Sequence, residues 1–292
     1  MKAGVVDIGT NSMRLLITDG RAEGGRWVDV TGLGRGVDET GRLAEPAIRR
    51  TLEALRRFGA EMDSSGVDMR AAIATSATRD AENRADFLGR AESALGVRPV
   101  MISAEREGRL AYAGATSDLD PETVAVVSDI GGGSTEFVDR QRVTSIDIGS
   151  VRLTDRILDE RPPPSEMLSR AREHVAELLA DVEMPAGGEV VGVAGTWTSL
   201  AGIDLGLERY DRDLVHHHRL NSARLTGLVT RLARLTVEET AAIPSLDPAR
   251  APVILAGAVV AEAVMAVTGT ESVLVSERDT LDGLAAELLA LP

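Results

Sequence analysis

The 292-residue chain contains no cysteine. That absence excludes disulfides, thiolate metal sites and cysteine nucleophiles together, and it agrees with a reducing cytoplasm as the expected location. Aromatic residues make up only 2% of the sequence, so the cores have to be assembled from Ala, Val, Leu and Ile. Lysine occurs once, at Lys2, and the other cations are arginines set against a formal net charge of −14. Binding to DNA, RNA or an anionic membrane needs a basic footprint, and this balance argues against all three. Long apolar runs are missing too. Asp7 breaks the N-terminal apolar stretch before it reaches the length of a signal-peptide core. The stretch Ala251–Val267 contains Pro252 and Glu262, falls short of a membrane span and reads as a buried helix.

What is present begins with an internal echo. Val5-Val6-Asp7-Ile8-Gly9-Thr10-Asn11-Ser12 runs into Met13-Arg14-Leu15-Leu16-Ile17. Much later, Val126-Val127-Ser128-Asp129-Ile130-Gly131-Gly132-Gly133-Ser134-Thr135 runs into Glu136-Phe137-Val138. Both read as a β-branched strand ending in Asp-Ile-Gly, a turn of small residues and a returning strand. A further strand follows each, at Trp27–Leu33 and Thr144–Ile148, and then helices. This repeated order predicts a duplicated α/β architecture of two domains, with the two turns facing one cleft.

Other expected elements are helices at 51–62, 80–95, 106–114, 165–182 and 279–291, and strands at 69–74, 97–102, 189–194 and 272–275. Three helical stretches are expected between Thr196 and Ser272. The polar stretch Asp118–Pro121 marks the domain boundary, giving domains 1–120 and 121–292. The last helix is a candidate to pack back on the first domain.

Gly-rich turns between strands offer converging backbone N–H groups with no side chain in the way, and such nests bind phosphate oxygens. The Asp that ends each leading strand, Asp7 or Asp129, stands where it would hold a metal ion or a metal-bound water. Glu107 has Ser103, Ala104, Leu110 and Ala111 as its helical neighbours and no basic one. It therefore points from the packed face, either toward a cleft or as a helix-end carboxylate favoured by the dipole. The segment Ala74-Thr75-Ser76-Ala77-Thr78-Arg79-Asp80 is equally an anion site or an ordinary helix cap. Gly195-Thr196 is either a third phosphate or nucleotide turn or a plain strand-to-helix turn. His216-His217-His218 argues weakly for a metal, because consecutive side chains on an extended strand alternate in direction.

Taken in order, these segments resemble the exopolyphosphatase/guanosine pentaphosphate phosphohydrolase (Ppx/GppA) family. The resemblance also rests on Asn83, Ile102-Ser103 through Arg109, Gly149-Ser-Val-Arg-Leu153, Val275-Ser276-Glu277 and Leu281-Asp282-Gly283. It implies an actin-like ASKHA fold, two ribonuclease-H-like domains around a central cleft, in a short form lacking the C-terminal helical domains of longer relatives. It further implies Glu107 as general base for an attacking water, and Asp129 and Glu136 as metal- and water-positioning carboxylates. Asp7 becomes a further metal ligand. Asn11, Ser12, Arg14, Arg79, Gly131, Gly132, Gly133, Ser134, Thr135, Gly195 and Thr196 would bind phosphate.

The implied cofactor is Mg²⁺, with Mn²⁺ as an alternative. The implied partners are polyphosphate or guanosine pentaphosphate and tetraphosphate, with no nucleic acid and no membrane. Homodimerisation is left open. Departures from the family pattern are Arg106, where a glutamate is usual, His217, where glycine is common, and Pro252. Two rival readings use the same turns: an ASKHA kinase, and a non-catalytic sensor of guanosine tetra- and pentaphosphate.

Overall fold

The computed structural model describes residues 1–185 and 187–291. The chain forms two compact units, one made of Met1–Gly114 plus the segment from Asp279 onward, the other of Ala115–Arg278.

In the first unit, β1 (Ala3–Ile8), β2 (Ser12–Thr18), β3 (Glu23–Val30), β4 (Met69–Ala74) and β5 (Val100–Met101) form a sheet of order β3-β2-β1-β4-β5. β1, β2 and β3 pair antiparallel, whereas β4 and β5 run parallel to β1. Strand alternation splits the apolar residues between two faces. Val6 and Ile8 join Met13, Leu15 and Ile17 under the helices Glu45–Ser64 and Arg84–Leu95. Val5 and Leu16 face the other way, against Leu110 of the helix Ala104–Ala115 and Leu281, Leu284 and Ala285 of the helix Thr280–Leu289. Asp7 has the parity of Val5, so it lies on the face covered by those last two helices.

The second unit repeats the plan. β6 (Val124–Ile130), β7 (Thr135–Val138), β8 (Val143–Ile146), β9 (Glu189–Val193), β10 (Arg219–Asn221) and β11 (Ser272–Val275) form a sheet of order β10-β11-β9-β6-β7-β8. Removing β10 leaves the first unit's order, three antiparallel strands followed by two parallel ones. Both sheets are ribonuclease-H-like, and their duplication is that of the actin-like ASKHA class. The apolar stretch after Pro252 folds as the helix Ile254–Thr268 and is buried among the helices Ser165–Leu179, Ala194–Asp204 and Ser222–Leu232. Among the described residues no helix is long and apolar enough to cross a membrane.

Several expected elements differ. The helix expected at 80–95 is two helices, Ser76–Asp80 and Arg84–Leu95. Between them Ala81 is extended, and the Asn83 side chain bonds both the N–H (2.9 Å) and the carbonyl (3.0 Å) of Leu43, which holds the break open. The strand expected at 97–102 shrinks to Val100–Met101, an exposed sheet edge. The region expected to hold three helical stretches also contains short helices at Arg212–Val215 and Val237–Ala241 and the strand β10.

Candidate active site

The two Asp-Ile-Gly turns have the same backbone geometry. Gly9 N–H donates to the Ser12 carbonyl at 3.1 Å, and Gly131 N–H donates to the Ser134 carbonyl at 3.0 Å. Register then fixes what stands opposite each aspartate: Arg14 opposite Asp7, and Glu136 opposite Asp129. Directly opposed residues of an antiparallel pair project from the same face, about 5 Å apart at Cβ.

In the first unit Asp7 is 4% exposed. Arg14 donates through Nε (3.1 Å) and Nη2 to Oδ2 of Asp7, and through Nη1 to Oδ2 of Asp279. Oδ1 of Asp7 is buried with no hydrogen-bond partner, as is Oδ1 of Asn11. Burial pushes the Asp7 carboxyl above the usual carboxylate range against the pull of Arg14, and Asp279 adds to the rise. Thr10 and Asn11 are tied into the surrounding loops: Thr10 Oγ1 accepts the Ala77 N–H at 3.1 Å, and the Asn11 carbonyl accepts from Thr31 and Gly32. Ser12 opens β2 and is half-buried.

Glu107 sits in the first turn of the helix Ala104–Ala115, with its side chain 14% exposed. Its Oε2 accepts from Arg79 Nη1 at 2.8 Å, and the same nitrogen reaches the Ile102 carbonyl at 3.0 Å. Burial raises the Glu107 pKa, Arg79 opposes the rise and Asp7 adds to it. Arg79, expected on phosphate, is thus seated on the expected base. The neighbouring Arg106, one of the departures from the family pattern, is a surface residue paired with Glu287.

In the second unit Asp129 and Glu136 are 5% and 1% exposed. Two carboxylates so buried and opposed repel each other unless positive charge reaches them. Glu136 Oε1 accepts the Ser145 hydroxyl at 2.8 Å. The Gly131–Ser134 turn is anchored from below by the helix Ser150–Arg156. Gly131 accepts from Ser150 N–H at 3.0 Å, and Gly132 accepts from Val151 (2.8 Å) and Arg152 (3.0 Å). Gly149 makes this contact possible, because a Cβ there would lie 2.6 Å from the Gly132 carbonyl. Thr135 donates to the Ile148 carbonyl at 2.7 Å.

Gly195-Thr196 opens the helix Ala194–Asp204, and the residue before it, Ala194, has φ 67. A non-glycine residue in the left-handed region is strained, a feature that gathers at functional sites. The Arg250 guanidinium lies on Gly195, where a Cβ would come within 2.0 Å of its Nη1.

The histidine run departs from the alternation expected of a strand. His217 has φ 65, and its ring stacks on His216 with centroids 3.8 Å apart. Both rings approach Asp118, and ligand atoms of the three residues lie within 4.8 Å of one another, while His218 turns away to Asp204. His216 Nδ1 accepts the Glu277 N–H at 3.2 Å, which leaves the ring proton on Nε2 facing Asp118. Arg278 Nε takes the same carboxylate oxygen at 3.1 Å. The group is a compensated hydrogen-bond cluster, with no lone pair of His216 turned toward a metal.

Sequence reasoning missed Asp279, Ser145, Gly149 as the support of the glycine turn, and Arg250 on Gly195. Gly149 and the region before Leu281-Asp282-Gly283 carried a signal in their neighbouring strings, whereas Ser145 and Arg250 carried none.

The family model of the Ppx/GppA phosphatase family matches residues 26–290. The chain belongs to that family. Exopolyphosphatase 2 of Mycobacterium tuberculosis is 36% identical over 313 aligned positions, covering 98% of this chain and 98% of that protein. Among solved structures, an exopolyphosphatase-like protein has a TM-score of 0.93 at 33% identity, with 98% of both chains covered. The Aquifex aeolicus PPX-GPPA enzyme has a TM-score of 0.81 at 32% identity, covering 98% of this chain and 99% of that one. Membership in a Ppx/GppA phosphatase family makes the chain a hydrolase by class. Carboxylates offer oxygen ligands only, and the bare Asp7 oxygen of the first unit and the opposed Asp129–Glu136 pair of the second each fit a hard divalent cation such as Mg²⁺ or Mn²⁺.

Proposed function

We propose that the chain hydrolyses the terminal phosphoanhydride bond of inorganic polyphosphate, short chains favoured, with a divalent cation as cofactor. The observation that carries this reading is the buried Asp129–Glu136 pair beside a glycine turn, in a member of a phosphatase family. Similarity to proteins named exopolyphosphatases supports polyphosphate as the substrate. The net charge of −14 favours short chains, because repulsion grows with the length of the polyanion.

A divalent cation held by Asp129 and Glu136 would neutralise charge on the terminal phosphate, the main requirement of phosphoryl transfer to water, and the bare oxygen of Asp7 would be a cation ligand of the first unit. The remaining work falls to the chain. Glu107 accepts a proton from the attacking water, and the burial that raises its pKa makes it a stronger base than an exposed glutamate. Arg79 fixes the Glu107 rotamer and offers a cation beside it. Backbone groups of Gly131–Thr135, with Thr196 at its helix start, cradle phosphate oxygens, and those of Asn11-Ser12 offer a nest of the same kind in the first unit. Guanosine pentaphosphate ends in the same kind of anhydride and is the second substrate to try.

Phosphate release from tripolyphosphate, long-chain polyphosphate and guanosine pentaphosphate, each with and without Mg²⁺, tests the reading. Tripolyphosphate is expected to be cleaved only with the cation. Glu107→Gln should fold normally and lose at least about a hundredfold in rate. Absence of release from all three substrates would sink the hydrolase reading, and nucleotide binding without release would make the chain a sensor.

A further inference from the structure

Asp279 is the N-cap of the helix Thr280–Leu289, and its backbone and side chain are held on three sides. Its Oδ1 accepts the Leu281 N–H at 2.9 Å, and its own N–H donates to Asp282 Oδ2 at 2.9 Å. Its carbonyl lies against Gly114, where a Cβ would come within 1.9 Å; in return, a Cβ on Gly283 would come within 2.2 Å of the Leu110 carbonyl. Two helices that touch through glycines at this spacing cannot slide past one another, so Asp279 is placed by backbone rather than by a flexible side chain.

From that fixed point Oδ2 of Asp279 takes Nη1 of Arg14. Arginine and a carboxylate prefer a two-oxygen fork. Here Arg14 instead puts both Nε and Nη2 on the single oxygen Oδ2 of Asp7 and leaves Oδ1 buried without a hydrogen bond. An isolated Asp–Arg pair would relax into the fork and consume both oxygens. The third contact, to Asp279, prevents it.

We propose that Asp279 is a positioning residue that acts through Arg14 to keep one oxygen of Asp7 available to a divalent cation. The proposal rests on the reading of Asp7 as a cation ligand. Asp279 touches neither substrate nor cation; it sets the angle of the guanidinium. Arg26 supports the arrangement from behind, with Nη2 on Asp282 Oδ1 at 2.7 Å and Nη1 3.8 Å from Asp279.

The test uses Mn²⁺ alone, with free ion counted by electron paramagnetic resonance on the full chain. Asp279→Asn and Asp279→Ser both retain an N-cap oxygen for Leu281, so folding is expected to survive, but neither presents a charge to Arg14. Mn²⁺ affinity is expected to fall by about tenfold or more, the usual cost of losing a supporting partner of a metal ligand. The metal concentration for half-maximal phosphate release should rise in parallel, with kcat recovered at saturating Mn²⁺. In an Asp7→Asn background, Asp279→Asn is expected to change Mn²⁺ affinity no further.

Unchanged Mn²⁺ affinity in the single variants, or a full additional loss in the Asp7→Asn background, would reduce Asp279 to a helix cap and overturn the proposal. Phosphate release by the wild-type chain without measurable Mn²⁺ binding would overturn it too while leaving the hydrolase intact. Asp279-dependent Mn²⁺ binding in a chain that releases no phosphate would do the reverse.

Discussion

The two hairpins of the Ppx/GppA chain share their strand order, turn hydrogen bond and register, yet they differ in the residue opposite the aspartate. Asp7 faces Arg14, and Asp129 faces Glu136. One exchange of sign turns the same backbone into two different devices. In the first unit an arginine offsets part of the cost of burying the carboxylate, and one bare oxygen is left over. In the second, two buried carboxylates stand opposite each other, and Glu136 accepts the Ser145 hydroxyl.

The sharpest way to break this contrast is Arg14→Met. It leaves Asp7 and Asp279 buried without their shared cation and is expected to cost about 3–5 kcal/mol by chemical denaturation at neutral pH. The sign of the pH dependence follows from Asp7. Its folded pKa lies above the ordinary value, so the native state binds the proton more readily than the unfolded chain. Losing Arg14 raises that pKa further. The penalty should therefore shrink as pH falls through the folded pKa and the unpaired charge is neutralised.

Glu136→Gln is the mirror experiment. Phosphate release is expected to fall by about a hundredfold or more, with a smaller loss of stability than in Arg14→Met, because Gln keeps the volume and an acceptor for the Ser145 hydroxyl. Equal losses of stability in the two variants would show that the hairpins are electrostatically alike. A smaller refinement is Ser145→Ala. It removes the hydroxyl that Glu136 accepts at 2.8 Å and should cost about 1 kcal/mol, read as a modest fall in thermal midpoint.

Much of the fold was legible because its signals are local. The echo around Asp-Ile-Gly gave both hairpins, and short apolar runs gave β4 and β11 at the bounds observed. Elements that failed were decided by distant partners. The break before Arg84 depends on Asn83 reaching the backbone of Leu43, which helical periodicity does not register. Strand β10 is three residues long, too short to show a period. The stacking of His216 and His217 depends on a positive φ at His217, for which the only signal was the glycine common there in the family.

In the candidate site, the carboxylates stand out by residue type and spacing, but their compensation does not. Arg14 and Arg79 read as generic phosphate cations, because nothing in the sequence couples Arg79 to Glu107 or Arg14 to a residue 265 positions away. Long-range ion pairs are properties of the folded topology, and they are what turn a set of plausible residues into a particular electrostatic arrangement.

One feature of the chain's path bears on its biogenesis. The first unit is discontinuous, closed only by the segment from Asp279 onward, while the second unit is continuous between Ala115 and Arg278. During synthesis the amino-terminal sheet emerges first but lacks Leu281, Leu284 and Ala285 on one face until the helix Thr280–Leu289 is made. The later-made unit therefore has all its parts before the earlier one does, reversing the usual order of folding on the ribosome. In the interval the nascent first unit carries a partly uncovered apolar face.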